Sequence, residues 1–316
     1  MSGGGRIEGE AVAIAGASGT IGRALVAELG ASGRDVLALG RRPVEGFEQW
    51  PSVATATVDF TEPDALARTL SRAGADTVVS CMASRSGSPL DAQLVDYAAN
   101  SALLRAAIAA GARRFVLLSA ICVQRPLLAF QHAKLAFEAE LIAAPIEHTI
   151  VRPTAYFKSL AGQAGRVAKG KPFLLFGDGE LTRCKPISDR DLARFLAQCI
   201  DSEEAHGAIL PIGGAGPAVS LRDCGTMLFE EAGREPRFRS VPPGMFVLAA
   251  RVLGCGAPVS PWLAAKSEYA RIAHYYATQS MLVLDPGTGR YDADATPEFG
   301  ADSLRAHYRS LLQATQ

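Results

Sequence analysis

The sequence has no excess of either charge: Lys+Arg and Asp+Glu both number 32, and no basic block occurs. A nucleic-acid binder draws most of its affinity from neutralised phosphates, so no nucleic-acid partner is expected. No CxxC pair is present. The six cysteines, Cys81, Cys122, Cys184, Cys199, Cys224 and Cys255, are widely spaced, which argues against a zinc site or a redox dithiol; no metal is expected. Most of them lie in apolar runs and read as buried thiols. No apolar run reaches the ~20 residues of a membrane span. The longest, MFVLAARVLGCGAPV, is short and broken by Arg251. The first residues, MSGGGRIEGE, lack a hydrophobic signal region, so neither export nor a transit segment is expected. The expected compartment is the reducing cytoplasm. Internal repeats and low-complexity tails are also missing.

What is present is apolar material in short, regular pieces. The chain has 316 residues, 48% of them hydrophobic and 20% charged, enough for one large core or two fused ones. VAIAG (12–16), VLALG (36–40), TATVDF (55–60), TVVSCMA (77–83), RFVLLSA (114–120) and HTIVRPT (148–154) read as strands. Between them lie helical patterns at 20–31, from a capping pair Thr61 and Asp64 to Arg72, and from Asp91 to Ala110, where Gly111 stops the run. Strands that are apolar almost throughout are buried on both faces, and strands separated by helices run parallel. The predicted fold is α/β, a doubly wound parallel Rossmann sheet with a smaller C-terminal α+β substrate-binding part. Beyond Pro153, GKPFLLFGDGEL reads as loop and hairpin, Ser188 and Asp191 open a helix over 189–200, and AILPIGG (208–214) is a further strand. Residues 8–157, with 187–214 returning to the sheet, form the predicted nucleotide-binding domain. Residues 158–186 and 215–316 form the predicted substrate-binding part.

GASGTIG places Gly16, Gly19 and Gly22 at GxxGxxG spacing between the first strand and the first helix. Glycines there permit a tight turn and close approach of a pyrophosphate, and the helix N-terminus supplies N–H donors. A glycine triplet alone is weak evidence; its place in a βαβ series strengthens it. Ser18, Thr20 and Ile21 belong to the same loop. The second strand ends in Arg41 and Arg42, where an NAD site usually carries an acid. Two arginines suit a 2′-phosphate, so NADPH is the expected cofactor, with one arginine a solvated loop charge. Ligands sit past the carboxyl ends of parallel strands. That assigns Asp59 and Phe60 to the adenine edge and Cys81, Met82 and Ala83 to the middle of the cofactor. Asp59 reads equally well as a helix cap.

FQHAK (130–134) raises the question of chemistry. Ser119 ends the fifth strand and Lys134 lies on the helix after it. With GASGTIG, the helix through Asn100, FVLLSA and TIVRPT, the chain resembles the atypical, extended branch of the short-chain dehydrogenases. That resemblance implies a serine that orients a carbonyl, a lysine that holds the nicotinamide ribose, and, four residues before the lysine, a proton-donating tyrosine. Here that position is Phe130, so ordinary ketone reduction is put in doubt. Three alternatives stand: cofactor sensing without catalysis, another acid, or reduction of a carbon–carbon double bond.

Longer strings bear on the choice. SAICVQRPLLAFQHAKLAFEAEL, IVRPTAYFKSL, FGDGELTRCKPISDRDLA, LPIGG and YYATQSMLVLDPGTGRY are similar to the divinyl chlorophyllide 8-vinyl-reductase family, from about Ala11 to Leu312. The resemblance implies reduction by NADPH of the 8-vinyl group of divinyl chlorophyllide or protochlorophyllide to ethyl, so the implied partner is a magnesium tetrapyrrole. It implies a cofactor-binding role for Pro153, Thr154 and Phe157 beside the loop residues, and catalytic roles for Lys134, Ser119 and Tyr156. Tyr156 leads as proton donor, ahead of Lys158 and His132; a pocket-lining aromatic is its equal alternative reading. A flat apolar ring with a propionate asks for an apolar pocket with a basic rim. Phe130, Tyr156, Lys158, Arg183 and Lys185 are the substrate-side candidates. The segment 245–255 reads as an amphipathic helix that packs in the core, lines the pocket or makes peripheral contact with a membrane. An NADP-sensing regulator and a reductase of small phenolics are the competing readings.

Overall fold

The computed structural model describes residues 10–257 and 259–314. Its first half alternates β1 (Ala11–Ala15), α1 (Thr20–Ala31), β2 (Val36–Gly40), β3 (Val53–Thr57), α2 (Pro63–Arg72) and β4 (Ala75–Ser80). A helical run follows in three parts: α3 (Pro89–Asp91), a π-helical stretch (Ala92–Ala99) and α4 (Asn100–Ala109). Next come β5 (Arg114–Leu118), α5 (Ala129–Ala143) and β6 (Glu147–Pro153). The second half contains α6 (Phe157–Leu160), α7 (Ala164–Ala168), β7 (Phe173–Phe176), β8 (Arg183–Cys184), α8 (Asp189–Asp201), β9 (Ala208–Gly214), β10 (Val219–Ser220), α9 (Leu221–Glu231) and β11 (Phe238–Val241). It closes with α10 (Gly244–Cys255), α11 (Pro261–Thr278), β12 (Val283–Leu284), β13 (Tyr291–Asp292), β14 (Glu298–Phe299) and α12 (Leu304–Gln313).

Eight strands pair in the order β3-β2-β1-β4-β5-β6-β9-β14, all parallel. The apolar strands fill both faces, as parallel sheets demand. Val12, Ile14, Ala38, Val116 and Val151 pack under α1 and α8, through Leu25, Leu192 and Leu196. Ala13, Leu39, Val78, Phe115 and Ile150 pack the other way, under α2, α4 and α5, through Leu66, Leu103 and Phe137. A separate core around Phe173, Phe229 and Tyr308 joins β7, α9 and α12. The doubly wound Rossmann sheet is therefore observed, with helices on both faces.

Three local expectations are corrected. Thr61 and Asp64 do not cap α2: Asp59 accepts from the Thr61 N–H and hydroxyl, and the helix opens at Pro63 from Glu62. The 91–110 helix is not uniform, because residues 92–99 wind as a π-helix. FLLF does not fold into a hairpin; β7 pairs in parallel with the distant β11. Most of the cysteines are buried, as expected, Cys255 at the end of α10 being exposed. A second return to the sheet was also unforeseen, since β14 extends the edge beside β9. Residues 8, 9, 315 and 316, at the ends of the two expected parts, and Pro258, in the Pro/Gly cluster, lie outside the described residues. Among the described residues no helix is long and apolar enough to cross a membrane.

The β14 edge is fastened by buried charge. The Asp191 carboxylate, 1% exposed, accepts from the N–H groups of Ala301 (3.1 Å) and Asp302 (2.9 Å) and pairs with Arg194. Removing it leaves two N–H groups without their acceptor and breaks the pair with Arg194. Asp191→Ala is expected to lower unfolding stability by about 3 kcal/mol, read as an earlier midpoint in urea; an unchanged midpoint would show the clasp to be dispensable.

Candidate active site

The turn between β1 and α1 is shaped by contact. Gly16 has φ +77°, and a Cβ there would lie 2.8 Å from the carbonyl carbon and oxygen of Cys81. At Gly22 a Cβ would lie 2.3 Å from the Gly16 carbonyl oxygen. Both positions therefore exclude a side chain, and α1 is held close to the ends of β1 and β4. Gly19 caps α1 without a side-chain hydrogen bond, and the first turn carries no acid. Its N–H donors and dipole are left for an incoming anion.

A cavity of about 480 Å³ opens here. Gly16, Ser18 and Gly19 form one side, and Cys81, Met82 and Ala83 another. Arg41, Asp59 and Phe60 stand at its far end. Asp59 is exposed, and the Thr61 N–H and hydroxyl hold its carboxyl below the usual range. Arg42 is exposed and lies outside this lining, so of the two arginines Arg41 faces the cavity. Ile21 is buried in the core. Sequence reasoning missed Arg85 and Arg105, two further cations on the wall, and the apolar side formed by Val95 and Ala99. Arg85 follows the end of β4, where the rule that ligands sit past strand ends would have pointed.

The lysine and serine are each tied to a buried carboxylate. Lys134 is buried, with its ammonium 3.0 Å from the Asp96 carboxylate on the π-helical stretch. Asp96 also accepts from the Ser84 N–H at 3.3 Å. The Ser119 hydroxyl donates to Glu138, which pairs with Arg152. Ser119 lines neither this cavity nor the one described next, because Glu138 draws its hydroxyl back under the sheet. Phe130 packs between the Gly87 turn and Ile272 of α11: a Cβ on Gly87 would lie 3.4 Å from its ring and 2.8 Å from Ile272.

A second cavity, about 440 Å³, opens past the ends of β5 and β6. Ile121, Leu160 and Met281 make much of its wall apolar; Pro153 and Thr154 reach it from β6, and Tyr156 and Tyr276 present phenols. Burial, then Cys81 and Cys122, pushes the Tyr156 phenol well above its ordinary value. Desolvation, then the nearby Cys122 thiol, raises the pKa of the Tyr276 phenol strongly, although the residue as a whole remains 44% exposed. Cys81 keeps some exposure too, but its thiol is desolvated and pushed up to about 12, so it is no thiolate at neutral pH.

Three basic candidates separate. Arg183 lines the rim of the second cavity, bonded to Glu180 at 2.8 Å. Lys185 is buried and bound to Glu298 and the Thr296 carbonyl at the β14 edge, so it is not free for a substrate carboxylate. Lys158 reaches back to the Thr20 hydroxyl at 3.1 Å, which puts its charge at the glycine turn and not on the second cavity's wall. Phe157 turns into the C-terminal core, its ring tilted against His307 with centroids 5.6 Å apart. His132 is exposed and lines neither cavity.

The chain matches the NAD(P)H-binding family over residues 16–203. It is 45% identical to the divinyl chlorophyllide a 8-vinyl-reductase of Oryza sativa subsp. indica, over 96% of this chain and 78% of that protein. With the 8-vinyl-reductase of Cucumis sativus it shares 43% identity, over 95% and 76%. Among solved structures, an NADPH-dependent quinone oxidoreductase from Escherichia coli, complexed with NADPH, superposes with TM-score 0.71 at 17% identity, covering 95% of this chain and 99% of that one. At that identity the likeness speaks for the fold.

Two substitutions probe the glycine turn. Gly16→Ala combines a left-handed backbone with a backbone clash and is expected to weaken nicotinamide dinucleotide binding by roughly a hundredfold. Lys158→Ala removes one charge-assisted contact and is expected to weaken it about tenfold. Fluorescence titration measures both. An unchanged Kd for Lys158→Ala would return that residue to the protein surface.

Proposed function

From the premise that this chain belongs to the divinyl chlorophyllide a 8-vinyl-reductase family, we propose that its first cavity holds NADPH and its second the tetrapyrrole. The activity is reduction of the 8-vinyl group by a nicotinamide-dependent oxidoreductase. One observation carries the assignment of the second cavity: its wall is largely apolar, with two neutral phenols, Tyr156 and Tyr276, on it and one cation, Arg183, at its rim.

The residues present fit the cofactor, because the Gly16 cradle rejects a side chain and leaves α1 uncapped. Gly16, Ser18, Gly19 and Thr20, with Lys158, would hold the pyrophosphate. Arg41 and Arg85 would hold the 2′-phosphate, which favours NADPH over NADH. When bound, the cofactor supplies a hydride. Lys134 would act through its pair with Asp96, which orients the ammonium at the cofactor's edge.

Phe130 cannot donate a proton, and a vinyl acceptor does not need an acid there. Hydride bonding the terminal carbon pushes the vinyl π pair onto the inner carbon and into the macrocycle, so no carbonyl oxyanion has to be met by a donor. The inner carbon then takes a proton, and we assign it to Tyr156. Its raised pKa keeps the phenol protonated throughout the working pH range. Burial that raises the pKa also weakens the acid, so delivery depends on the basicity of the macrocyclic anion. A second reading gives the proton to Tyr276, because it presents a phenol on the same cavity wall as Tyr156 and Cys122. Ile121, Leu160 and Met281 exclude water from the ring face, and Arg183 would take the propionate at the rim.

The test follows the absorption of divinyl chlorophyllide a with NADPH. Loss of vinyl conjugation, with one NADPH consumed per vinyl, is expected; cofactor bound but never oxidised would leave a regulator. Tyr156→Phe is expected to slow turnover by roughly 10²-fold or more while NADPH affinity holds. If Tyr276→Phe alone has that effect, the second reading stands; if neither does, the proton comes from water.

A further inference from the structure

The hairpin of α10 and α11 turns apolar side chains toward solvent. Met245, Leu248 and Val252, at i, i+3 and i+7, are 55%, 63% and 64% exposed, and no residue of α10 is buried. The opposite stripe faces inward. Phe246 packs edge-on against Phe176 with centroids 5.4 Å apart, and the Ala250 carbonyl accepts from the Ser267 hydroxyl of α11 at 2.9 Å. Val259, in the turn, is 87% exposed. On α11 the aromatics Trp262, Tyr269 and Tyr276 recur at i, i+7 and i+14, exposed by 63%, 67% and 44%. A solvated surface helix shows the reverse pattern, with polar side chains outward. Fourteen residues of helix span about 21 Å, so this aromatic stripe runs from the hairpin turn to the second cavity, whose wall Tyr276 forms.

The charge on the hairpin has one sign. Arg251, Lys266 and Arg271 are exposed; Glu268, the one acid between 244 and 278, is buried, accepts from the Ala129 N–H at 3.2 Å and faces Arg271. The Lys266 ammonium lies 5.8 Å from the centroid of the Trp262 ring.

We propose that this hairpin docks on the surface of an anionic phospholipid bilayer, and that the Trp262–Tyr269–Tyr276 stripe passes the apolar ring from that surface to the second cavity. Cations beside exposed Trp, Tyr, Leu and Val suit the headgroup boundary. A second copy of the chain would instead set like charges against each other. Neither helix is long and apolar enough to span, so the hairpin lies on the membrane. Docking stands on the surface alone; the hand-over rests on the reading of the second cavity as a tetrapyrrole site.

Flotation of the full chain with vesicles of phosphatidylcholine alone, or with phosphatidylglycerol added, tests docking. Binding to the anionic vesicles, weakened by salt, is expected, and Leu248→Glu with Val252→Glu should lower the bound fraction at least tenfold. The double variant should keep its NADPH affinity and its turnover on detergent-dispersed pigment, which separates lost docking from lost folding. No flotation of the unaltered chain overturns the proposal. So does flotation that ignores the variant, or a dimer in size-exclusion chromatography that the variant disperses. If the unaltered chain floats but never turns over dispersed pigment, the hand-over falls and the docking remains.

Discussion

The backbone of Cys81, at the end of β4, stands where a Cβ on residue 16 would have to go. That contact draws the β1–α1 turn against the neighbouring strand and aims the uncapped start of α1 across the strand ends. Gly22, against the Gly16 carbonyl, locks the helix to the turn. The cofactor cavity, the approach of Lys158 to Thr20 and the nearness of Tyr156 to Cys81 all follow from this packing. Little of the chemistry would survive a looser turn, because catalysis by positioned groups tolerates small displacements poorly.

Losing the tyrosine at position 130 changes what the fold can do. Ser119, which with that tyrosine would orient a carbonyl, is tied to Glu138, and the ammonium of Lys134, the proposed cofactor clamp, is held by Asp96. Both are buried, and each charge in these networks is paired, as burial requires. In the proposed function the reacting surface is the apolar cavity past β5 and β6, whose two phenols burial pushes above their ordinary pKa. Such a wall does little for a ketone. It suits a conjugated vinyl group, whose own ring system accepts the charge.

The sheet could be read from the chain because strands buried on both faces are apolar almost without interruption. VLALG matched β2 residue for residue, and α1 matched 20–31. The glycine turn could be read for the same reason: its constraint is local. What escaped was non-local. FGDG suggested a hairpin after FLLF, yet β7 found β11 more than sixty residues on. Lysines are ordinarily exposed, and nothing near Lys185 announced Glu298, 113 residues away, or near Lys158 announced Thr20, 138 residues away. Asp96 was silent because π-helical winding alters which residues share a face with it. Tyr276 was visible as an aromatic, but its place beside Cys122 depends on how α11 crosses the strand ends.

The central claim is that hydride reaches the terminal vinyl carbon and a separate acid protonates the inner one. Product formed with NADPH deuterated at the transferring position, in ordinary water, measures this directly by NMR. The cofactor's deuterium is expected in the methyl of the new ethyl group, and solvent deuterium in its methylene when the labelling is reversed. Cofactor deuterium in the methylene, or in neither carbon, would contradict it.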